Sequence, residues 1–182
     1  NVLINSQGDA YKLIQQLCSV FRAMPFWEAG TSVAGTGGIS IAQDRPEDFS
    51  YIFNQTNVTQ EGFSYSGSSM KGRPTCVAVR YFDMEARDFR QELVELNSQF
   101  INSADPNVNF LDKYGYNKEE IDAFACTSRT QAYRLGKWFL YTSHRETEIC
   151  SFSTDMAAGI TVRPGDYVKI SDPVRAGRVV AG

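Results

Sequence analysis

The sequence predicts an α+β fold that is rich in strands, with two main helices packed on antiparallel sheets or a small barrel. Residues 9–22 and the segment that begins near Ser128 carry apolar side chains at helical spacing. Short alternating apolar runs separated by Gly, Pro, Asn and Asp recur through the rest of the chain. Helices and strands that do not alternate regularly favour this fold class over a parallel α/β sheet.

The first helix is predicted over residues 9–22, with Asp9 at its amino end. It ends before Met24, because Pro25 disfavours helical geometry in the residue that precedes it. Its buried stripe contains Leu13, Ile14, Leu17, Cys18 and Phe21.

The second helix is predicted over residues 129–143, at the end of a joint that runs from Asp122 to Trp138. Ser128 and Gln131 have the spacing of a capping box. Gly136 costs about 1 kcal/mol inside a helix relative to alanine, so we expect another backbone to approach it closely. The buried stripe contains Ala132, Leu135, Phe139 and Thr142.

Strands account for most of the other predicted elements. An aromatic strand that starts near Met24 and a strand around Ile39 and Ile41 form a hairpin across the glycine-rich residues 30–38. Residues 75–82 are apolar on both faces, which predicts a central strand. Weaker or shorter strands are predicted over residues 63–69, 146–154, 167–171 and 178–181, and Arg163–Asp166 has the composition of a tight turn.

Residues 83–117 are the least determined part of the sequence. The run from Glu85 to Val94 fits a helix or an extended strand, and residues 102–107 form a loop. The run from Asn117 to Ile121 resembles a single helical turn with an asparagine cap.

The chain is expected to form two lobes or one intertwined domain. Residues 1–70 would make a lobe of one helix and a hairpin, and residues 71–182 a β-rich lobe with a packed helix. The chain starts at Asn1 and ends in an apolar run, Val179–Gly182, so we expect a piece of a longer polypeptide.

Charge and hydropathy exclude two classes of partner. Eighteen basic and 21 acidic residues give a net charge of −3 with no basic run, which argues against specific nucleic-acid binding. The longest apolar runs are too short to span a bilayer, and these residues show no signal-peptide pattern. The four cysteines, Cys18, Cys76, Cys126 and Cys150, lack metal-site spacing and are expected to be free thiols, mostly buried.

Three sets of residues are candidates for chemistry, and a structural role is the stronger hypothesis for each. Cys126 and His144 could form a nucleophile–base dyad, although His144 also suits the end of a helix. A carboxylate cluster and a glycine cluster complete the candidates. The carboxylates are Asp83, Glu85 and Asp88, and the glycines are Gly35, Gly37 and Gly38. We therefore expect no catalytic residue, no metal and no cofactor.

Three stretches of the chain resemble the tail tip attachment protein J family, or host specificity proteins, of lambda-like phages. The first runs from Cys18 to Trp27 and continues at Ile41–Pro46. The second contains Tyr114-Gly115 and Asp122–Trp138, and the third runs from Arg163 to Gly182. The stretches follow the family's order along nearly the whole chain, whereas residues 83–112 depart from its pattern.

The resemblance implies a structural protein with domains like those of phage baseplate hubs. It implies a trimeric hub at the distal end of the tail tube, which contacts other tail tip and tube proteins and is assembled in the host cytoplasm. The family offers no catalytic residues to transfer. The alternatives are a cell-wall hydrolase and a carbohydrate- or receptor-binding module that uses exposed Trp27 and Trp138. We expect the chain by itself to be monomeric or weakly associating.

The helical stripe is tested by Leu135→Ala. Removal of a buried leucine side chain should lower the free energy of unfolding by about 2–5 kcal/mol. Thermal and urea unfolding measure the change, and Arg134→Ala, which lies off the stripe, is the control. An unchanged melting temperature for Leu135→Ala would contradict the assignment of this helix face.

Overall fold

The computed structural model describes residues 9–28, 37–59, 61–67, 72–96 and 114–175. Within these residues the chain is α+β, as predicted. The helices are α1 (Ala10–Val20), α2 (Arg129–Arg145) and α3 (Met156–Thr161), with one 3₁₀ turn at Pro173–Arg175. The strands are β1 (Ala23–Glu28), β2 (Gly38–Gln43), β3 (Tyr51–Asn54), β4 (Ser64–Gly67), β5 (Cys76–Asp83), β6 (Asp88–Glu95), β7 (Lys118–Asp122), β8 (Glu148–Ser151) and β9 (Val168–Ser171).

Contacts divide the chain into two units, each built from two segments. Unit 1 takes the described residues of 1–21 and 68–147, and unit 2 those of 22–67 and 148–182. The predicted lobes, 1–70 and 71–182, divide the chain once, whereas the units divide it three times. One division, between residues 67 and 68, lies near the predicted boundary. The units place helix α1 in unit 1 and β8, α3 and β9 in unit 2, and the two predicted lobes stay a prediction.

Unit 1 contains a three-stranded sheet in the order β6-β5-β7. β5 is central, as predicted, and Val77 and Val79 on it have no exposed surface. β6 pairs with it antiparallel through a tight turn, which settles the run Glu85–Val94 as turn and strand. β7 pairs with β5 in parallel, from Cys76↔Lys118 to Arg80↔Asp122. Antiparallel sheets or a small barrel were predicted, whereas this sheet is open and combines an antiparallel with a parallel pair.

The predicted helical turn at Asn117–Ile121 was also wrong, because this segment is strand β7. Asn117 anchors the strand instead of capping a helix: its Nδ2 donates to the carbonyl oxygens of Gly72 (3.3 Å) and Arg73 (3.1 Å). Its backbone N–H donates to Oγ1 of Thr75 at 3.0 Å. The residues near Asn117 favour a capped helical turn by their local propensity. Pairing of residues 118–122 with strand β5 outweighs that propensity.

Helix α2 lies on the face of the sheet that carries Val79 and Val94. A Cβ atom built on Gly136 would stand 2.9 Å from a methyl carbon of each valine. The close approach to Gly136 is therefore made by two side chains, and the expectation that another backbone approaches it was wrong. Ser128 is the N-cap, but its side chain makes no capping hydrogen bond, so the predicted capping box was wrong. The buried helix residues are Ala132, Leu135, Gly136 and Leu140, while Phe139 and Thr142 of the predicted stripe are half-buried.

Helix α1 confirms the first predicted helix, but only Cys18 of its predicted buried stripe is buried, and Phe21 is 42% exposed at the C-cap. The carboxylate of Asp9 accepts a hydrogen bond from the backbone N–H of Tyr11 at 3.0 Å. Cys18 is 2% exposed, and Val20 packs against the core of unit 1. That core also holds Leu96, Cys126 and Leu140, so one hydrophobic cluster joins both main helices and the sheet.

Unit 2 contains three two-stranded sheets within its described residues. β1 and β2 form the predicted antiparallel hairpin, and β4 pairs with β8 antiparallel. β3 pairs in parallel with β9, and local sequence patterns did not predict this pairing because the two strands lie far apart in the chain. The rings of Phe53 and Phe63 each lie about 5 Å from that of Phe152, at 4.7 and 5.3 Å, and form a small aromatic core.

The predicted turn at Arg163–Asp166 is confirmed. The N–H of Asp166 donates to the carbonyl of Arg163 at 3.1 Å, and Gly165 has φ +93°, which glycine adopts without strain. A Cβ on Gly165 would also come within 2.4 Å of Cβ of Ala42, so this turn packs directly on β2. The predicted strand 178–181, the loop 102–107 and most of the turn 30–38 lie outside the described residues.

Two glycines in helices give a matched pair of substitutions. Gly136→Ala should destabilise the protein by about 1–3 kcal/mol, because overpacking against Val79 and Val94 exceeds the gain in helix propensity. Gly159→Ala, in α3, meets no atom within 4 Å and should stabilise by up to about 1 kcal/mol. Urea unfolding of both variants measures the contrast, and stabilisation by Gly136→Ala would contradict the close contact.

Candidate functional site

The predicted dyad residues of unit 1 are each hydrogen-bonded to backbone carbonyls. Cys126 is 1% exposed, and its Sγ donates to the carbonyl of Ser128 at 3.4 Å. His144 lies in the last turn of α2, as predicted, with Nε2 3.0 Å from the carbonyl oxygen of Pro74. A nucleophile–base pair requires a direct hydrogen bond between the two side chains. These contacts give both residues structural roles.

The predicted carboxylate cluster shapes the turn between β5 and β6. Oδ1 of Asp83 accepts from the backbone N–H groups of Glu85 (2.9 Å) and Ala86 (3.4 Å), and its Oδ2 lies 3.3 Å from Nε of Arg90. Oδ1 of Asp88 accepts from the N–H of Phe89 at 2.7 Å. In the parts of the chain that the structure describes, no cluster of three or more His, Cys, Asp or Glu residues is arranged to hold a metal ion.

An open groove of about 630 Å³ lies beside this turn, and ion pairs dominate it. Nε of Arg129 lies 2.8 Å from one oxygen of Glu92 and its NH2 group 3.3 Å from the other. The Glu92 carboxylate raises the pKa of Arg129, which keeps the pair charged. The pair ties the first residue of α2 to β6. The groove is lined by Tyr81, Asp83, Met84, Glu85, Arg90, Gln91, Glu92, Thr127 and Arg129.

The predicted glycine cluster belongs to the β1–β2 hairpin of unit 2. Gly38 begins β2, and Gly37 packs against the indole of Trp27, where a Cβ would lie 2.9 Å from Nε1. Gly35 lies outside the described residues. A phosphate-binding loop opens into a helix, whereas these glycines lead into an antiparallel strand.

The two tryptophans differ in exposure. Trp27 is 69% exposed on β1, whereas Trp138 is half-buried and packs against the core of unit 1. The binding-module alternative anticipated that both would be exposed, and only Trp27 is. Three cysteines are buried as free thiols, and Cys150 is half-buried.

Sequence patterns missed a polar cluster in unit 2 around Tyr65. Its hydroxyl donates to Oδ2 of Asp172 at 3.0 Å, and Cys150 stands opposite it across the β4–β8 pair. Burial, and then the hydrogen bond to Asp172, raise the pKa of Tyr65 to about 12. The two residues are 107 positions apart, so no local pattern joins them. The bond fastens the chain after β9 to strand β4.

In unit 1, helix α2 is held to the sheet by the Arg129–Glu92 ion pair and by packed apolar side chains. None of the described helices is long and apolar enough to cross a membrane. Residues 9–181 match the profile of a family described as "Putative phage tail protein". Because this match covers nearly the whole chain, the chain belongs to that family of phage tail proteins.

Two curated relatives carry a more specific name, Tip attachment protein J. The one from Escherichia phage SECphi27 is 34% identical over 172 residues, which cover 94% of this chain and 13% of the relative. The one from Escherichia phage SECphi4 is 25% identical over 173 residues, which cover 94% and 14%. The chain thus spans a small part of the length of the relatives it matches. The resemblance to tail tip attachment proteins is confirmed.

The hydrogen bond from Tyr65 to Asp172 should make the free energy of unfolding depend on pH in the alkaline range. The phenol ionises near pH 10 in the unfolded chain and near 12 in the folded one, so its contribution is complete below pH 10 and is lost as pH rises towards 12. Tyr65→Phe should lower the urea midpoint at pH 8, and this difference should shrink between pH 10 and 12. Tyr133→Phe, at an exposed position of α2, is the control. A difference independent of pH would contradict the contact.

Proposed function

We propose that the chain is a structural part of the hub at the distal end of a phage tail tube. In this proposal three copies of a longer tail tip protein surround the channel through which tape-measure protein and DNA leave. The observation that carries it is the match to two tip attachment proteins along 94% of the chain. The hub and its three copies follow from the family resemblance and go beyond that match.

The arrangement of the side chains supports a structural role without enzymatic activity. Cys126, His144 and Asp83 each hold a loop or a helix end in place. The charged groove beside the β5–β6 turn is lined by pairs that connect elements of unit 1. Tube closure, host contact and passage of DNA require stable surfaces, which such pairs and packed faces provide.

The partners in this proposal are other copies of the parent chain and other proteins of the tail tip and tail tube. The location is the virion tail tip, after assembly in the host cytoplasm. A net charge of −3 suits a wall past which DNA moves, because the wall would not hold the phosphate backbone.

A receptor- or carbohydrate-binding module is the second candidate, and the exposure of Trp27 favours it. Exposed indoles stack on sugar rings and are frequent anchors of interfaces. A cell-wall hydrolase has no comparable support, since the single histidine, His144, is bonded to the carbonyl of Pro74.

Immunogold electron microscopy tests the proposed location. Antibodies against the chain should label the tail end far from the capsid of particles whose genome encodes it. Mass spectrometry of the same particles should find three copies of the parent chain. Antibodies against a tail tube protein of the same particle serve as the control, because they should label the whole length of the tail.

Three results would overturn the proposal. Label along the tube, label on the capsid or a copy number other than three would each contradict the hub. Cleavage of purified peptidoglycan by the chain would favour the hydrolase, and binding to host-surface glycans would favour the second candidate.

A further inference from the structure

Strand β6 forms an open edge of the sheet in unit 1. Among the described strands it pairs only with β5, because the sheet order is β6-β5-β7. Even-numbered residues of β5 direct their backbone groups towards β7: the N–H of Phe82 donates to the carbonyl of Cys126, and the carbonyl of Arg80 accepts from Ala123. Odd-numbered residues of β5 therefore bond to the even-numbered residues of β6 that stand opposite them. The backbone groups of the odd-numbered residues of β6 point outwards.

Most of these outward groups have no partner in the part of the chain that the structure describes. There, the backbone N–H and C=O groups of Gln91, Leu93 and Glu95 make no hydrogen bond, while the N–H of Phe89 donates to Oδ1 of Asp88 at 2.7 Å. The side chain of Phe89 is 58% exposed and that of Leu93 49%. A row of unpaired backbone groups beside exposed apolar side chains is a template for a further strand.

The sequence of β6 is complementary to itself when a second copy runs antiparallel with Gln91 opposite Gln91. This register aligns residues 88–94 of the two copies, and it sets Phe89 opposite Leu93 and Arg90 opposite Glu92. Arg90 and Glu92 lie on the sheet face that carries α2, and the apolar pair lies on the other face. Each side of the axis thus gains one apolar pair and one pair of opposite charges, both of which stabilise antiparallel strands.

Charge selects this register over its neighbours. Pairing centred on Arg90 or on Glu92 would set two arginines or two glutamates opposite each other, and registers centred further out align fewer residues of β6. Arg90 and Glu92 also have partners within one copy, Asp83 at 3.3 Å and Arg129 at 2.8 Å. The charges therefore determine the register, whereas backbone hydrogen bonds and apolar contacts supply the attraction.

The other edge strand of this sheet, β7, is not complementary to itself. A two-fold register centred on any of its residues sets like charges opposite each other. Centred on Ile121, for example, the register sets Glu120 opposite Asp122, and centred on Glu119 it sets that glutamate opposite its own copy. Like charges directly opposite each other destabilise a strand pair, so β6 is the edge that suits a second copy.

We propose that two copies of the chain pair through β6 around a two-fold axis at Gln91, so that their three-stranded sheets form one continuous sheet. Helix α2 leaves room for this contact. It begins at Arg129, beside Glu92 and close to the axis, and its Gly136 lies against Val94, farther from the axis. The helices of the two copies therefore start near the axis and run apart.

The contact is small, so the affinity should be weak. Stable interfaces bury about 800 Å² on each partner, which one strand edge supplies only in part. The pairing occupies the β6 edge of both copies, so association should stop at the dimer. A two-fold contact cannot close a ring of three, so this inference goes beyond the proposed hub and does not rest on it.

Disulfide cross-linking tests the register. Opposed residues that exchange backbone hydrogen bonds in antiparallel strands have Cα atoms about 5.5 Å apart, which a disulfide can bridge. Mild oxidation of Gln91→Cys at about 1 mM, a concentration suited to weak association, should therefore give a covalent dimer. Phe89→Cys and Leu93→Cys should each give little dimer alone, because equivalent residues lie roughly 13 Å apart along the strands. Mixed together, these two variants should cross-link to each other.

The unsubstituted chain, with its four cysteines, is the control for this experiment and should remain monomeric on denaturing gels. Cross-linking of Leu93→Cys alone as readily as Gln91→Cys would contradict the two-fold axis at Gln91 and overturn the inference.

Sedimentation between about 20 µM and about 1 mM measures the association itself. Leu93→Lys should weaken it at least about tenfold, because the variant loses the apolar contact with Phe89 of the second copy. Ile149→Lys is the matched control, since Ile149 is 68% exposed on β8 of unit 2, and it should leave association unchanged. Circular dichroism verifies that each variant is folded.

Three results of the sedimentation experiment would overturn the inference. These are the absence of dimers at about 1 mM, growth beyond the dimer, and equal weakening by Leu93→Lys and Ile149→Lys. Each of them would leave the proposed hub standing, because tail-tip labelling reports on it independently.

Discussion

The contact between Gly136 and the valine pair Val79 and Val94 is the constraint on which unit 1 depends. It sets how closely α2 lies on the sheet, because a methyl group at this position would collide with both valines. Because α2 lies close to the sheet, Leu135 and Leu140 belong to the same hydrophobic cluster as Val77 and Tyr81. It also places Arg129 within reach of Glu92 on β6, which joins helix and sheet at the surface. The absence of a side chain at Gly136 therefore sets the distance between helix α2 and the sheet, and the Arg129–Glu92 ion pair depends on that distance.

Elements defined by local patterns could be predicted from the sequence, and elements defined by distant partners could not. The helical spacing of α1, the apolar run of β5 and the Pro-Gly turn at 164–165 can be recognised from neighbouring residues. β3 and β7 have only four and five residues and exist because β9 and β5 pair with them. Asn117 has the residue type of a helix cap, but its side chain donates hydrogen bonds to the carbonyl oxygens of Gly72 and Arg73.

The candidate site follows the same division. His144 was expected at a helix end and Cys126 in a buried run, and both lie there. The Tyr65–Asp172 bond joins residues 107 positions apart, so only the fold could reveal it. The exposure of Trp27 likewise depends on which hairpin face the turn at Gly165 covers.

The parallel pairing of β3 with β9 has a consequence for biosynthesis. Ser50 and Tyr167, which are hydrogen-bonded just before this ladder, are 117 residues apart, whereas β5 and β6 are joined by a tight turn. At about 5–20 residues per second, a ribosome needs roughly 6–25 s to deliver the second strand after the first. The helices and sheet of unit 1 are complete in the nascent chain before then. The β3–β9 pair of unit 2 can therefore form only after β9 emerges, and until then the edge of β3 stays open to other pairings.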